Sequence, residues 1–277
     1  MTDQYAVIGN PIAHSKSPLI HEVFARQTGQ DISYERILAP LNGFDETVRA
    51  LIKQGYKGVN VTVPFKFEAF QLANQYSSGA LAAGAANTLS FKNQTIAADN
   101  TDGAGLVRDV EQNLNVQIAG KRVLLIGAGG AAEGVLQPIL ESKPKSITVV
   151  NRTLDKAIGM IKKVEAQSQF GNTILSACTF EGLQGQAFDI VINATSAGLS
   201  DTALPIPNTI FAKDCLAYDM MYGRETPFMK LAKDNGAQVA DGLGMLVEQA
   251  AEAFYIWRGV RPETHSVMQQ IRNLSQL

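Results

Sequence analysis

Apolar positions along the chain come in two kinds of segment, and their alternation predicts an α/β protein. Short branched or alternating runs of strand length lie at Tyr5–Ile8, Ser33–Leu38, Gly58–Val63, Val123–Ile126, Asp189–Asn193, Leu216–Asp219 and Gln238–Ala240. Longer segments between them read as helices: Leu19–Thr28, Phe44–Gln54, Leu154–Ser168 and Pro227–Asn235, with Met245–Arg258 and Pro262–Asn273 ending the chain. Ser17, Pro18 and Gly29 supply an N-cap, a first helical residue and a stop for the first helix. In Gly58–Val63 the alternation is strict, so Val59, Val61 and Val63 face one way and Asn60 and Thr62 the other. Thr88–Phe91 and Thr95–Ala98 predict a hairpin turned at Asn93-Gln94, and Asp99-Asn100-Thr101-Asp102-Gly103-Ala104-Gly105 opens a helix to about Asn113.

The most informative stretch is Arg122–Thr153, read as strand, turn, helix, strand. Val123–Ile126 suits a strand buried on both faces. It runs into Gly127-Ala128-Gly129-Gly130-Ala131, where glycines let the backbone bend and approach a pyrophosphate, and the following helix N-terminus favours the anion. Ala132 stands where a dinucleotide fingerprint has its third glycine, and is small enough for close helix–strand packing. An NAD site carries an acidic residue about 20 residues on, for the ribose hydroxyls. This chain instead has Asn151, Arg152 and Thr153, with Lys156 close behind. A guanidinium fork matches a 2′-phosphate that a carboxylate would repel, so the expected cofactor is NADP. Thr153 could equally cap the next helix. Farther on, the small residues Ala194-Thr195-Ser196-Ala197-Gly198 would let a cofactor lie against backbone, which makes Thr195 a further contact.

Composition narrows the class without naming a reaction. The 277 residues suit one large or two ordinary domains, and 45% hydrophobic with 18% charged residues is an ordinary globular balance. A net charge of −2 with no basic run gives no pull toward nucleic acid or an anionic membrane. The N-terminus lacks a signal-peptide pattern and no apolar run is long enough to span a bilayer, so the cytoplasm is the expected compartment. Cys178 and Cys215 read as free thiols, and His14, His21 and His265 form no metal-ligand spacing; no metal is expected.

Three loops carry candidate chemistry. Ser15 and Ser17, two apart beside a helix N-terminus, could grip a carboxylate. Lys66 lies just past the strand that Pro64 ends, where open sheets collect ligands. Thr101 or Asp102 could cap the helix after Asn100 or take part in chemistry. That helix also reads as a bridge into the cofactor unit, which sets a domain junction near Thr101–Leu106.

Together the motifs resemble the shikimate dehydrogenase family from end to end: Gly9-Asn10-Pro11 with Ser15-Lys16-Ser17-Pro18, Asn60-Val61-Thr62-Val63-Pro64-Phe65-Lys66, Gly84-Ala85-Ala86-Asn87-Thr88, Asn100-Thr101-Asp102-Gly103, Gly127-Ala128-Gly129-Gly130-Ala131, Asn151-Arg152-Thr153, Asn193-Ala194-Thr195-Ser196, and Gly242-Leu243-Gly244-Met245 with Gln249. No departure falls at a position carrying the family's chemistry. The resemblance implies NADPH-dependent, reversible reduction of 3-dehydroshikimate to shikimate in aromatic amino acid biosynthesis. It assigns substrate contacts to Ser15, Ser17, Thr62, Lys66, Asn87, Asp102, Tyr222 and Gln249. Cofactor contacts fall on Gly127, Ala128, Gly129, Gly130, Ala131, Asn151, Arg152, Thr153, Lys156, Met220 and Gly242. The implied fold is two α/β domains: residues 1–103 with 242–277 form a substrate-binding domain with a mainly parallel sheet, and 104–241 a Rossmann-like NADP domain. The C-terminal helices thus return to the first domain, in keeping with an apolar stripe at Leu246, Ala250, Ala253 and Trp257. A monomer or homodimer acting on a small molecule is expected.

The chemistry of the residues agrees. Hydride addition to a ketone leaves an oxygen that must be protonated, and the reverse step needs the alcohol deprotonated. Lysine can do this, which pairs Lys66 with Asp102 as catalytic candidates. The hydroxyl and amide side chains suit a polyhydroxylated acid, whose hydroxyls need partners once buried. Two readings stay open beside it: an enzyme that also oxidises quinate, with NAD as an alternative cofactor, and a non-catalytic module that binds shikimate-like ligands to regulate a partner. Arg152 argues against NAD; Lys66 with Asp102, and the lack of an appended DNA-binding segment, argue against the second. A methylene-tetrahydrofolate dehydrogenase shares the broad architecture, but typically has tyrosine four residues before its lysine, where this chain has Thr62.

Overall fold

The structure is a computed structural model describing residues 2–167, 171–197 and 202–275. Its chain divides into two compact units, Met1–Gly105 with Val247–Leu277, and Leu106–Leu246. Each is an α/β unit built on a six-stranded sheet.

In the first unit the strands are β1 (Asp3–Gly9), β2 (Ile32–Leu38), β3 (Gly58–Val61), β4 (Gln75–Tyr76), β5 (Thr88–Lys92) and β6 (Thr95–Asp99). Their order is β2-β1-β3-β5-β6-β4. The β1–β2, β1–β3 and β4–β6 pairs are parallel, and β5 is antiparallel to both neighbours because a hairpin joins it to β6. That hairpin turns at Asn93 and Gln94, both at positive φ, as a two-residue turn matching strand twist requires. Helices α1 (Ser17–Thr28), α2 (Phe44–Lys53), α3 (Lys66–Leu72) and α4 (Ser78–Ala83) follow the strands. One core gathers Ala6, Ile8, Val59, Val61, Phe65 and Leu89 with the apolar side of α2. Elsewhere in the unit, an aromatic cluster joins α1 and β2 to the last part of the chain: His21, Phe24, Tyr34, Phe254 and Trp257.

The second unit is all parallel. Strands β7 (Arg122–Ile126), β8 (Ser146–Val150), β9 (Ile174–Cys178), β10 (Phe188–Asn193), β11 (Phe211–Asp219) and β12 (Gln238–Asp241) lie in the order β12-β11-β10-β7-β8-β9. The chain starts at the centre, builds outward through β8 and β9, then crosses back to β10. The order therefore reverses between β7 and β10, and a ligand crevice is expected outside the carboxyl ends of these strands. Strand periodicity explains the two-sided core: Val123 and Leu125 join one buried cluster, while Leu124 and Ile126 join another. Helices α6 (Gly130–Glu141), α7 (Leu154–Gln167) and α8 (Pro227–Asp234) cover the sheet.

Two helices run through the boundaries between units. α5 (Asp102–Arg108) continues as a π-turn over Asp109–Asn113, and α9 (Leu243–Arg258) leads to α10 (His265–Ser275). Inside the first unit α9 buries Val247, Ala250, Ala253 and Phe254, while Trp257 stacks on Tyr5 at 4.6 Å and Arg258 pairs with Asp3 at 2.5 Å. No described helix is long and apolar enough to cross a membrane.

Several expected details change. Ser17 is the first helical residue and not the cap; Lys16 occupies that position and makes no side-chain cap bond. β3 stops at Val61, and Val63 leaves the sheet, 66% exposed, before a cis peptide to Pro64. Asn60 is buried like its valine neighbours, so both faces of β3 are covered. α9 starts at Leu243 and its buried side centres on Val247 and Phe254, with Leu246 only half-buried. Elements α3, β4, α4 and β9 were not anticipated. Ser168, the expected end of α7, and Gly198 lie outside the described residues.

Candidate active site

In the first unit the polar residues converge around Asn87. β3 delivers the chain to Thr62, whose N–H donates to Ile8 O at 2.9 Å; Phe65, fully buried and stacked on Phe44 at 5.1 Å, then holds the turn into α3. Lys66 is therefore the first residue of α3, and its carbonyl accepts from Ala86 N–H at 2.9 Å, which ties it to the Asn87 segment. Its ammonium donates to Asp102 Oδ2 at 2.5 Å. The pair is partly covered, with side-chain exposures of 28% and 13%.

Asp102 opens α5, but its carboxylate does not cap it. Asn100 Oδ1 instead accepts from Asp102 N–H at 3.2 Å, leaving the carboxylate to face Lys66 and Asn87. Asn87 Nδ2 donates to Asp102 Oδ1 at 2.8 Å, to Thr101 Oγ1 at 3.0 Å and to Gln249 Oε1 at 3.4 Å. Its Oδ1 accepts from Thr101 N–H at 2.9 Å, which fixes the amide orientation because a backbone N–H can only donate. Lys66, Asn87, Thr101, Asp102 and Gln249 are thus one network, assembled from four separate stretches of sequence.

Ser15 and Ser17 form the expected pair of hydroxyls, 3.2 Å apart. Because Ser17 is inside the helix, its hydroxyl is not used in capping. The loop is held by Arg36 of β2, whose Nε and Nη2 both donate to Ser15 O at 2.9 and 2.6 Å. Sequence reasoning missed Arg36; a lone arginine in an edge strand gives no local sign of which carbonyl it will meet.

The second unit holds a cavity of about 1080 Å³ at the carboxyl ends of β7, β8, β10 and β11. Gly127, Ala128, Gly129, Gly130 and Ala131 form one wall. Gly127 sits at φ +111, where a side chain would be strained, and a Cβ on Gly129 would point into open space, so the backbone there is accessible to a ligand. Asn151, Arg152, Thr153 and Lys156 form the wall at the end of β8, and among the described residues Arg152 and Lys156 have no carboxylate partner. Thr195 and Met220 line the other side. Gly242 donates to Met221 O at 2.8 Å, and its Cα lies so close to Met220 that a Cβ would collide with that carbonyl. Tyr222 follows on the same loop, half-exposed, its phenol raised above the ordinary value by burial.

These features fit NADP, tested on the donors themselves: a glycine turn open to a pyrophosphate, the N-terminus of a twelve-residue helix behind it, and two cations where a 2′-phosphate would lie. Both cysteines are free, and burial pushes the Cys215 thiol up to about 12. Among the described residues no group of acidic, cysteine or histidine side chains could hold a metal ion.

Fold and cavity define the class: a nicotinamide-dinucleotide oxidoreductase using NADP. Comparison with known proteins narrows it. Residues 7–89 match the shikimate dehydrogenase substrate-binding domain, 109–200 the shikimate/quinate 5-dehydrogenase family, and 242–272 the shikimate 5′-dehydrogenase C-terminal domain. A shikimate dehydrogenase (NADP(+)) from Methylobacillus flagellatus is 60% identical over 98% of this chain and 99% of its own. Among solved structures, an Ael1 enzyme from Pseudomonas putida superimposes with a TM-score of 0.92 at 46% identity, covering 97% of this chain and 98% of that one. Shikimate 5-dehydrogenase from Thermus thermophilus, in complex with NADP(H) and shikimate, has a TM-score of 0.87 at 29% identity, covering 99% and 100%. The chain belongs to the shikimate dehydrogenase family.

Proposed function

We propose that this enzyme catalyses the NADPH-dependent, reversible reduction of 3-dehydroshikimate to shikimate, with Lys66 and Asp102 as its catalytic pair. The observation that carries the reading is the Lys66–Asp102 contact, held by Asn87 beside a cluster of neutral hydrogen-bonding groups. Bound NADPH supplies the hydride. The remaining demands fall on the chain: Lys66 Nζ holds or releases the proton at the substrate oxygen, and Asp102 orients the ammonium. Asn87, Thr62, Gln249 and Tyr222 contact the ring hydroxyls, which would otherwise lose their partners on burial. Ser15 and Ser17 take the carboxylate. Residues 1–103 with 242–277 form the substrate domain, and 104–241 the NADP domain. Gly127–Ala131 hold the pyrophosphate of the cofactor, Asn151, Arg152, Thr153 and Lys156 the 2′-phosphate, and Thr195, Met220 and, at the start of the returning segment, Gly242 the remainder.

The direct assay is NADPH consumption with 3-dehydroshikimate, set beside NADP reduction by shikimate and by quinate. No turnover of 3-dehydroshikimate would sink the proposal. The family match to shikimate/quinate dehydrogenases favours keeping quinate as a second substrate to test. Both reactants are soluble small molecules, and the reading sets the reaction in the cytoplasm; light scattering decides between monomer and homodimer.

Two variants separate the roles. Arg152→Ala should weaken NADPH selectively: a hydrogen bond to a charged group contributes about 1.5–3 kcal/mol, so the ratio of KM for NADPH to KM for NADH should rise by at least roughly tenfold. Equal loss for both cofactors would give Arg152 a structural role instead. Arg36→Ala should release the Ser15 loop, raising the KM for shikimate by roughly tenfold with little change in kcat, since the lost contact is a charge-assisted hydrogen bond remote from the proton. An unchanged KM would mean that the loop keeps its shape without Arg36.

A further inference from the structure

Beneath the cofactor cavity lies an acidic side chain that the mechanism above does not use. Asp219 ends β11, is fully buried, and makes three hydrogen bonds. Oδ1 accepts from Met221 N–H at 3.0 Å; Oδ2 accepts from Asn193 Nδ2 at 3.2 Å and from Thr226 Oγ1 at 2.6 Å. None of the three partners can reverse its role. Met221 offers a backbone N–H. Asn193 turns its amide group this way because its Oδ1 accepts from the N–H and hydroxyl of Thr195, at 3.1 and 2.7 Å. Thr226 accepts the Met229 N–H at 3.2 Å as the cap of α8, so its own proton points to Asp219. The site is therefore built for an acceptor on both oxygens, which a carboxylate supplies and a carboxamide cannot.

What Asp219 holds is the cavity wall. Through Asn193 it fixes Thr195, and through Met221 it fixes the loop carrying Met220; Thr195, Met220 and Met221 all line the cavity. A doubly wound sheet binds one mononucleotide in each half, the 2′-phosphate side at β8 leaving the nicotinamide half to β10 and β11. Oxidised nicotinamide carries a positive charge on its ring and the reduced form does not, while their phosphates are alike. A negative group buried one residue behind that wall acts through a weakly screening medium and so distinguishes the two forms.

We propose that Asp219 is a positioning residue of the nicotinamide wall whose buried carboxylate biases the site toward the oxidised cofactor. The inference rests on the NADP reading above. The test is titration of NADP+ and NADPH separately, by quenching of protein fluorescence or by calorimetry, on the full chain. In Asp219→Asn the ratio of Kd for NADP+ to Kd for NADPH should rise by roughly tenfold, the scale of one unit charge acting across a short protein distance. Equal weakening of both forms would leave Asp219 a structural residue and overturn the bias. Thr226→Val provides a second route should the first variant fold poorly: it keeps the charge and removes one donor that damps it, so the ratio should move a few-fold the opposite way. No movement, or movement toward NADPH, overturns the inference. Failure of the wild-type chain to bind either form would instead overturn the cofactor reading, and this inference with it.

Discussion

Lys66→Ala should lower kcat by ~10²–10⁴-fold, the usual scale for removing a general acid or base, while shikimate binding changes only a few-fold. The split follows from where Lys66 sits. It meets Asp102 Oδ2 through its ammonium, whereas Asn87, Thr101 and Gln249 are tied to each other and to Asp102 without it. Asn87 and Gln249, proposed above to bind the ring, therefore keep their places when the lysine is cut back. Lys66→Arg sharpens the test, because it preserves a cation beside Asp102 yet cannot give up a proton in the accessible pH range. If the role is proton transfer, the arginine variant should be nearly as slow as the alanine one. Recovery of turnover by arginine would mean that the position supplies only charge, and an alanine variant within a few-fold of wild type would remove Lys66 from the chemistry.

How much of this was legible in the sequence depended on the length of the signal. The strand at Val123–Ile126 and its glycine turn were readable because two rules coincide there, the two-sided burial of a parallel strand and the need for open backbone. The hairpin at Asn93-Gln94 was readable because few residues adopt positive φ in succession. α3 and α4 were not, since helices of seven and six residues are too short to display a period. β9 was missed because, as an edge strand, it alternates partial burial with exposure and lacks the continuous apolar run of its neighbours. β11 begins at Phe211, earlier than its apolar run suggests. The register shifts opposite Phe188 and Ile190, and Asp214 sits at φ 60, so those first residues pair irregularly. At the site, motif residues could be named singly, but their partners could not. Asn100 as the group that frees Asp102, Arg36 as the clamp on Ser15, and Asp219 beneath the cavity wall depend on contacts between distant stretches. Local pattern carries no trace of such contacts.

Acid should destabilise this protein well before its carboxylates are protonated, and His21 should be the cause. The side chain is fully buried in α1, stacked on Tyr34 at 4.2 Å and flanked by Phe24, Phe254 and Trp257, with no hydrogen-bond partner for either ring nitrogen. Burial pushes its imidazole down to about 3, and nearby Asn60 offsets part of this without completing a hydrogen bond. In the unfolded chain the same group takes up its proton near pH 6.5. Between those two values the unfolded state binds the extra proton, so the stability present above about pH 6.5 is lost as pH falls, at about 1.4 kcal/mol per unit and ~4–5 kcal/mol by pH 3. Asp189 and Glu263 have carboxyls lowered by their hydrogen bonds to Arg122 and Ser266, and they lose their contribution only at lower pH. The window from pH 6.5 to 5 lies above both; burial raises the Asp99 carboxyl, which gains its proton in the folded state and acts in the opposite sense, so the difference between wild type and a histidine variant isolates His21. In urea titrations across that window, wild type should lose about 2 kcal/mol while His21→Phe stays nearly flat. That variant keeps an aromatic ring in the cluster and removes two unpartnered polar atoms, so it should match or exceed wild type at pH 7. Parallel slopes for the two proteins would show that the buried imidazole does not set the acid limit.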